Sequence, residues 1–182
     1  MLLPLLGIFF LVGILIKIED GGPIFYGGER LGKDKKKFKM YKFRSMKVNA
    51  PDLRNDDGST FNSSSDKRLT RIGKYLRETS VDEIPQLINV LKGDMSIIGP
   101  RASLGNSLST YKEDELEKMK VRPGITGYTQ AYYRNGLTMR EKRLYDVWYA
   151  NHLNFLLDIK IFFKTVSTVI FKKGLYSNRD TN

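Results

Sequence analysis

Hydrophobic positions crowd the start of the chain, MLLPLLGIFFLVGILIKI, where no charged residue interrupts the run before Lys17. A helix of that composition has no polar face to turn toward water, so it needs an apolar cover. The run falls short of the roughly 20 apolar residues that carry a straight helix across a bilayer, and Pro4 predicts a kink or break. Three readings compete for it. A signal peptide lacks both the basic leader and the small-residue cleavage site. A buried core helix is the bland alternative, and the run is too uniformly apolar for a surface helix. Membrane insertion over residues 1–18, as a re-entrant or dipping helix rather than a full span, is the preferred expectation.

The pattern changes at Glu19. In EDGGPIFYGGERLGKDKKKFKMYKFRSMK, basic residues interleave with aromatics, and Phe38, Met40 and Phe43 alternate with Lys39, Lys42 and Arg44 in the manner of short strands. Gly21, Gly22, Gly27 and Gly28 read as turns. Residues 49–66, with Pro51, Gly58 and Ser63 to Ser65, form a polar loop. Helical spacing returns with Ile72, Tyr75 and Leu76 on one face, then Ile84, Leu87, Ile88 and Leu91 on another, stopped by Gly93. Leu108 to Lys120 predicts a polar helix, VRPGITGY a turn-rich element, and Thr138 to Asn151 an amphipathic helix carrying Trp148 and Tyr149. The last apolar stretch sets Ile161, Phe162, Val166, Val169 and Ile170 among Lys160, Lys164, Lys172 and Lys173. Such a helix can lie in a headgroup plane or pack on a core, and both readings stay open.

Composition narrows the classes. The 182 residues are 41% hydrophobic, enough for one domain with a core, and a second full domain is not expected. Lys and Arg number 31 against 20 Asp and Glu, a net charge of +11 that calls for an anionic partner: nucleic acid, anionic lipid or a phosphorylated substrate. The absence of cysteine excludes disulfides, thiolate zinc sites, iron–sulfur clusters and a cysteine nucleophile. His152 is the single histidine and reads as a surface or packing residue, so any metal must use oxygen ligands, which points to magnesium. No Walker loop, GxGxxG, HExxH or GxSxG string occurs.

Carboxylates and cations remain. Asp82 and Glu83 stand just before Pro85, a residue tolerated in a first helical turn and disfavoured inside, so the pair is expected at a helix start or kink. Free N–H groups there favour anions and can keep a carboxylate ionised or draw in a phosphate. An ionised Asp82 is a usable nucleophile, and its neighbour could hold a magnesium ion that neutralises a diphosphate. For the dipeptide alone the structural alternative is strong, because Ser80 to Glu83 also reads as a capping box. The company shifts the balance: Arg68, Arg71, Lys74 and Arg77 precede the pair, and Lys42 and Arg44 lie in the basic aromatic segment, all able to clamp phosphate oxygens. The run Lys35 to Lys37 can also meet anionic headgroups.

Three strings in order, YKFRSM (Tyr41 to Met46), ETSVDEIPQLINVLKGDMSIIGPR (Glu78 to Arg101) and VRPGITG (Val121 to Gly127), resemble the bacterial sugar transferase family, the monotopic phosphoglycosyl transferases. The resemblance runs to about Lys173. It implies a helix-rich α/β (α+β) fold, compact and cytoplasmic, with amphipathic surface helices and an N-terminal re-entrant membrane helix over 1–18, a catalytic domain over 19–175 and a polar tail over 176–182. It implies ping-pong chemistry at the cytoplasmic face of the bacterial inner membrane: Asp82 attacks the β-phosphate of a UDP-sugar, UMP leaves, and a polyprenyl phosphate takes the sugar phosphate. Glu83 matches the family's Mg2+-associated acid, with Asp82 expected as a second metal ligand, and Glu83 can also help deprotonate the acceptor. Arg44 and Arg77 fall at basic positions near the phosphates, Pro100 and Arg101 in the nucleotide segment, and Asp146 at a further acidic position; Lys42, from the basic aromatic segment, is expected to bind phosphate beside them.

Two departures stand out. The family commonly opens with a basic amphipathic leg and a Ser-Pro break, where this chain has Leu3-Pro4 soon after Met1, so a shortened inward leg or a late start site is expected. It also commonly has Pro-Arg-Pro where Pro100, Arg101 and Ala102 stand. The expected partners are a UDP-sugar, a polyprenyl phosphate and membrane lipid. Nucleic acid is not among them, since that reading uses the charge and leaves the apolar N-terminus idle. A noncatalytic basic membrane-surface protein is the other alternative. The sugar, the glycan pathway and the oligomeric state are not legible.

Overall fold

The computed structural model describes residues 2–53, 61, 63, 65–133 and 136–171. Helix predominates, with small sheets, and the chain forms two compact units. One comprises Met1–Gly27 and Tyr41–Pro85, the other Gly28–Met40 and Gln86–Asn182.

In the first unit, α1 (Leu2–Asp20) is continuous. Pro4 does not break it, because it lies in the first turn, where its missing N–H has no intrahelical partner to lose. Phe9, Val12 and Ile16 form a single seam on α1 that packs with Phe43, Leu76, Ile24, Ile72, Val81 and Ile84. The other faces, with Phe10, Leu11 and Ile18, remain exposed. No helix among the described residues is long and apolar enough to cross a membrane.

Strands β1 (Phe25–Leu31) and β2 (Lys37–Phe43) are joined by a turn around Lys33–Lys35, and each has residues in both units. The alternation expected of Phe38 to Phe43 is therefore met. Gly27 and Gly28, however, lie inside β1 rather than at turns. Ladder pairing overrides their local preference. Gly21 does turn the chain, with φ at +69° after α1.

Helix α2 (Arg71–Glu78) starts at Thr70, whose hydroxyl accepts the Gly73 N–H at 2.9 Å. Two further free N–H groups of its first turn, those of Arg71 and Ile72, donate to the Glu19 carboxylate at 2.5 and 3.1 Å. Gly73 must be glycine, since a Cβ there would collide with the Ser45 carbonyl.

The second unit contains α3 (Gln86–Leu91), β3 (Ser96–Ile98), β4 (Ser103–Leu104), β5 (Gly124–Thr126), α4 (Tyr128–Tyr132), α5 (Met139–His152) and α6 (Phe155–Ile170). The sheets are β2–β1–β4, with Arg30 opposite Leu104, and a parallel pair β3–β5, with Ser96 opposite Gly124. VRPGITGY thus supplies a strand, and its glycines serve close approach: a Cβ on Gly124 or Gly127 would strike the Gly99 backbone. Helix α3 reverses the expected face. Gln86 and Asn89 are buried, whereas Leu91 is 88% exposed, because Asn89 donates to the Lys39 carbonyl at 2.8 Å. The segment expected as one polar helix resolves into short 3-10 turns, Leu108–Thr110 and Glu113–Lys120. Helix α5 begins at Thr138 as expected, with a reciprocal Thr138–Glu141 capping box. Helix α6 puts Ile161 into a core with Ile98, Ala131 and Tyr149 and leaves Phe155, Leu156, Phe163 and Ile170 exposed. Lys172, Lys173, Gly58 and the 176–182 tail lie outside the described residues.

Candidate functional site

The carboxylate pair sits where α2 ends. Ser80 takes a left-handed conformation (φ 58°), and Val81–Glu83 follow as a single 3-10 turn ahead of the buried Pro85. Backbone bonds from Glu83 N to Ser80 O and from Ile84 N to Val81 O, at 3.2 and 3.1 Å, close that turn. The Ser80 side chain makes no cap. The capping box that offered the plain structural account of this dipeptide is therefore not formed, and the Glu83 carboxylate instead receives the Lys42 ammonium.

Asp82 is 6% exposed and lies 3.8 Å from Lys42 Nζ through its Oδ2. Burial pushes its carboxyl up to about 6; Lys42 and Arg77 pull it down, and Glu83 adds to the rise. Arg77 comes from the last turn of α2 and is steadied by donation from its Nε to Ser45 Oγ at 3.0 Å. The first unit thus joins Asp82 and Glu83 with Lys42 from β2 and the field of Arg77. Such a group can present an aspartate oxygen as a nucleophile among cations suited to phosphate.

The other cations named from the sequence are placed differently. Arg44 is 7% exposed, and its guanidinium donates to Asp20, to the Pro23 carbonyl at 2.6 Å and to the Met46 carbonyl at 2.9 Å. Arg68 grips Asp66 with both Nε and Nη2 and ties the preceding loop through the Pro51 carbonyl at 2.9 Å. Arg71 and Lys74 are exposed on α2.

Within the second unit, Pro100 is buried and the Arg101 side chain is exposed. Asp146, 2% exposed, receives Lys118 Nζ at 2.7 Å, Thr129 Oγ1 at 3.0 Å and the Arg101 N–H at 3.2 Å. It therefore secures the backbone of the Pro100–Arg101 segment. Lys118 and Thr129 were not signalled by the sequence, since neither belongs to a motif or to a local pattern with Asp146. His152 stacks on Trp148, with ring centroids 4.7 Å apart, in keeping with a packing role.

Asp82 and Glu83 offer two neighbouring carboxylates as oxygen donors. No cluster of three or more acidic, histidine or cysteine side chains forms a ready cation cage among the described residues. Two carboxylates would suit a magnesium ion, a hard cation that takes oxygen ligands.

Comparison with known proteins agrees with the resemblance of the strings. The sequence matches the bacterial sugar transferase family over residues 1–172. It is 39% identical to an undecaprenyl-phosphate galactose phosphotransferase of Salmonella typhimurium, over 87% of this chain and 36% of that protein. It is also 39% identical to a UDP-galactose-lipid carrier transferase of Erwinia amylovora, over 90% of this chain and 36% of that protein. The uncharacterized sugar transferase EpsL of Bacillus subtilis is 39% identical over 88% of this chain and 77% of its own length. The chain thus spans about a third of two of these relatives and most of the third. With the match extending over nearly all of its residues, the chain belongs to the bacterial sugar transferase family.

Proposed function

We propose that this chain transfers a sugar 1-phosphate from a UDP-sugar to a polyprenyl phosphate, with Asp82 as the covalent nucleophile. The observation that carries the reading is the buried Asp82 carboxylate, beside Glu83 and Lys42, on the 3-10 turn Val81–Glu83. An Asp82 oxygen bonds to the β-phosphorus of the donor as the bond from that phosphorus to the bridging oxygen breaks, and UMP departs with the electron pair. A phosphate oxygen of the acceptor then bonds to the same phosphorus, the aspartyl–phosphorus bond breaks, and Asp82 is regenerated as a carboxylate. Lys42 and Arg77 hold positive charge where the attacking carboxylate and the diphosphate would otherwise repel. Glu83, with Asp82, would hold a magnesium ion, which when bound neutralises diphosphate charge.

The setting supports the same reading. In one unit the exposed apolar face of α1, and in the other that of α6 with Lys160 and Lys164, each suits an anionic lipid surface, where a water-soluble donor and a lipid phosphate can meet. That this surface is the cytoplasmic face of the bacterial inner membrane is part of the proposal. Both relatives with named activities carry a lipid or undecaprenyl phosphate in their names, which favours this acceptor class.

The test is release of UMP by lipid-reconstituted protein across a panel of UDP-sugars with undecaprenyl phosphate, paired with peptide mapping of label from donor labelled in the β-phosphate. Label on the peptide containing Asp82, lost in Asp82→Asn, is the expected result. Turnover with the label elsewhere overturns the assignment.

A further inference from the structure

We infer that Asp20 and Arg44 form a joint through which the end of α1 positions the strand end carrying Lys42, so that both are positioning residues rather than phosphate ligands. The inference about catalysis rests on the function proposed above.

All three guanidinium nitrogens of Arg44 are engaged inside the first unit. Nε donates to the Pro23 carbonyl, Nη1 to Asp20 Oδ2 at 2.6 Å and to the Met46 carbonyl, and Nη2 to Asp20 Oδ1. The flat of the group lies against Gly22, where a Cβ would come 2.8 Å from Nη2 and 3.0 Å from Cζ. The backbone joins in: Arg44 N donates to the Ile24 carbonyl at 2.9 Å, and Gly22 N to Asp20 Oδ1 at 3.2 Å. A bidentate fork satisfied in this way leaves no edge directed at a diphosphate.

The location gives the joint its purpose. Lys42 is two residues before Arg44 on β2, and Ser45, which steadies Arg77, is one residue after it. Glu19, adjacent to Asp20, accepts the first N–H groups of α2, the helix that brings Arg77. The last two acids of α1 therefore hold both elements that supply cations to Asp82.

A double-mutant cycle tests this. Asp20→Asn, Arg44→Gln and their combination are compared in UMP release by the reconstituted full chain, with Arg44→Lys as a fourth variant. Each single change is expected to lower kcat about tenfold by misplacing Lys42, with donor KM held within about twofold. The double variant should be no worse than either single one, and Arg44→Lys should resemble Arg44→Gln, because an ammonium cannot make the fork. A donor KM raised by Arg44→Gln but not by Asp20→Asn, and restored by lysine, would identify a phosphate clamp and overturn the joint. Unchanged kcat in folded variants would reduce it to a structural tie and overturn the positioning role.

Hydrogen exchange supplies an arm independent of turnover. Peptides covering 22–24 and 42–46 should exchange faster, and equally, in both single variants. If wild-type protein releases no UMP while this exchange result holds, the proposed reaction fails and the joint stands; unchanged exchange removes the joint itself.

Discussion

Asp82 shows what a single buried carboxyl does to both stability and chemistry. Its ordinary value of 3.8 is pushed up to about 6 in the fold, chiefly by burial, against the pull of Lys42 and Arg77. The folded chain therefore binds the proton more tightly than the unfolded one. The stabilisation this brings is complete below about pH 4 and is lost as pH rises through about 6. In metal-free buffer at pH 7.5, Asp82→Asn is expected to be more stable than wild type, by up to about 3 kcal/mol, in denaturant melts. The same change should lower UMP release by roughly three orders of magnitude or more, since no nucleophile remains. A nucleophile must also be ionised, so kcat/KM should fall on acidification, about tenfold per unit once Asp82 is protonated. Lys42→Met should move that limb upward, because Lys42 is the main group holding the carboxyl down; a limb that stays in place would remove Lys42 from the site. These residues were legible because they lie in contiguous strings. The ties of Arg44 to Asp20 and of Arg68 to the Pro51 carbonyl were not, since those partners are distant in sequence and belong to no pattern.

Helix α2 is the element whose ends decide the geometry. Its start depends on Thr70 and on a carboxylate from α1, and its packing depends on the missing side chain of Gly73. Thr70→Ala should cost about 1 kcal/mol through the lost cap. Gly73→Ala should cost more, about 1–3 kcal/mol, as an overpacked contact against the Ser45 carbonyl that must displace the segment steadying Arg77. Chemical denaturation checks both, and equal effects would place the close approach in doubt. Reading elements from the chain succeeded where local signals act alone, as in β2, the Thr138 start of α5 and the helix around α6. It failed where a neighbour overrules them. Gly27 and Gly28 are drawn into β1 by pairing, β5 exists because β3 lies beside it, and α3 turns Asn89 inward because the Lys39 carbonyl requires a donor.

For the molecule as a whole, the informative feature is apolar surface left uncovered. Phe10, 73% exposed, and Ile18 lie off the α1 seam that Val12 and Ile16 bury. Replacing Phe10 and Ile18 with lysine should shift the protein out of the vesicle-bound fraction in flotation, with little change in its melting temperature, whereas Val12→Asn should lower the melting temperature. Retention of the lysine variant on vesicles would move the anchoring surface to α6. Removing divalent metal with excess EDTA should stop UMP release reversibly, and persistent turnover would dismiss magnesium. The sequence by itself determined the apolar and basic character, the absence of thiol chemistry, the family and the acidic dipeptide, because these depend only on which residues occur and in what order. Tertiary structure alone decided that Glu83 meets Lys42 instead of a cap, that Asp82 is buried, and that Arg44 and Asp146 tie backbone segments. Each of those outcomes depends on which groups long-range packing brings within hydrogen-bond distance, and on how much water it removes around them.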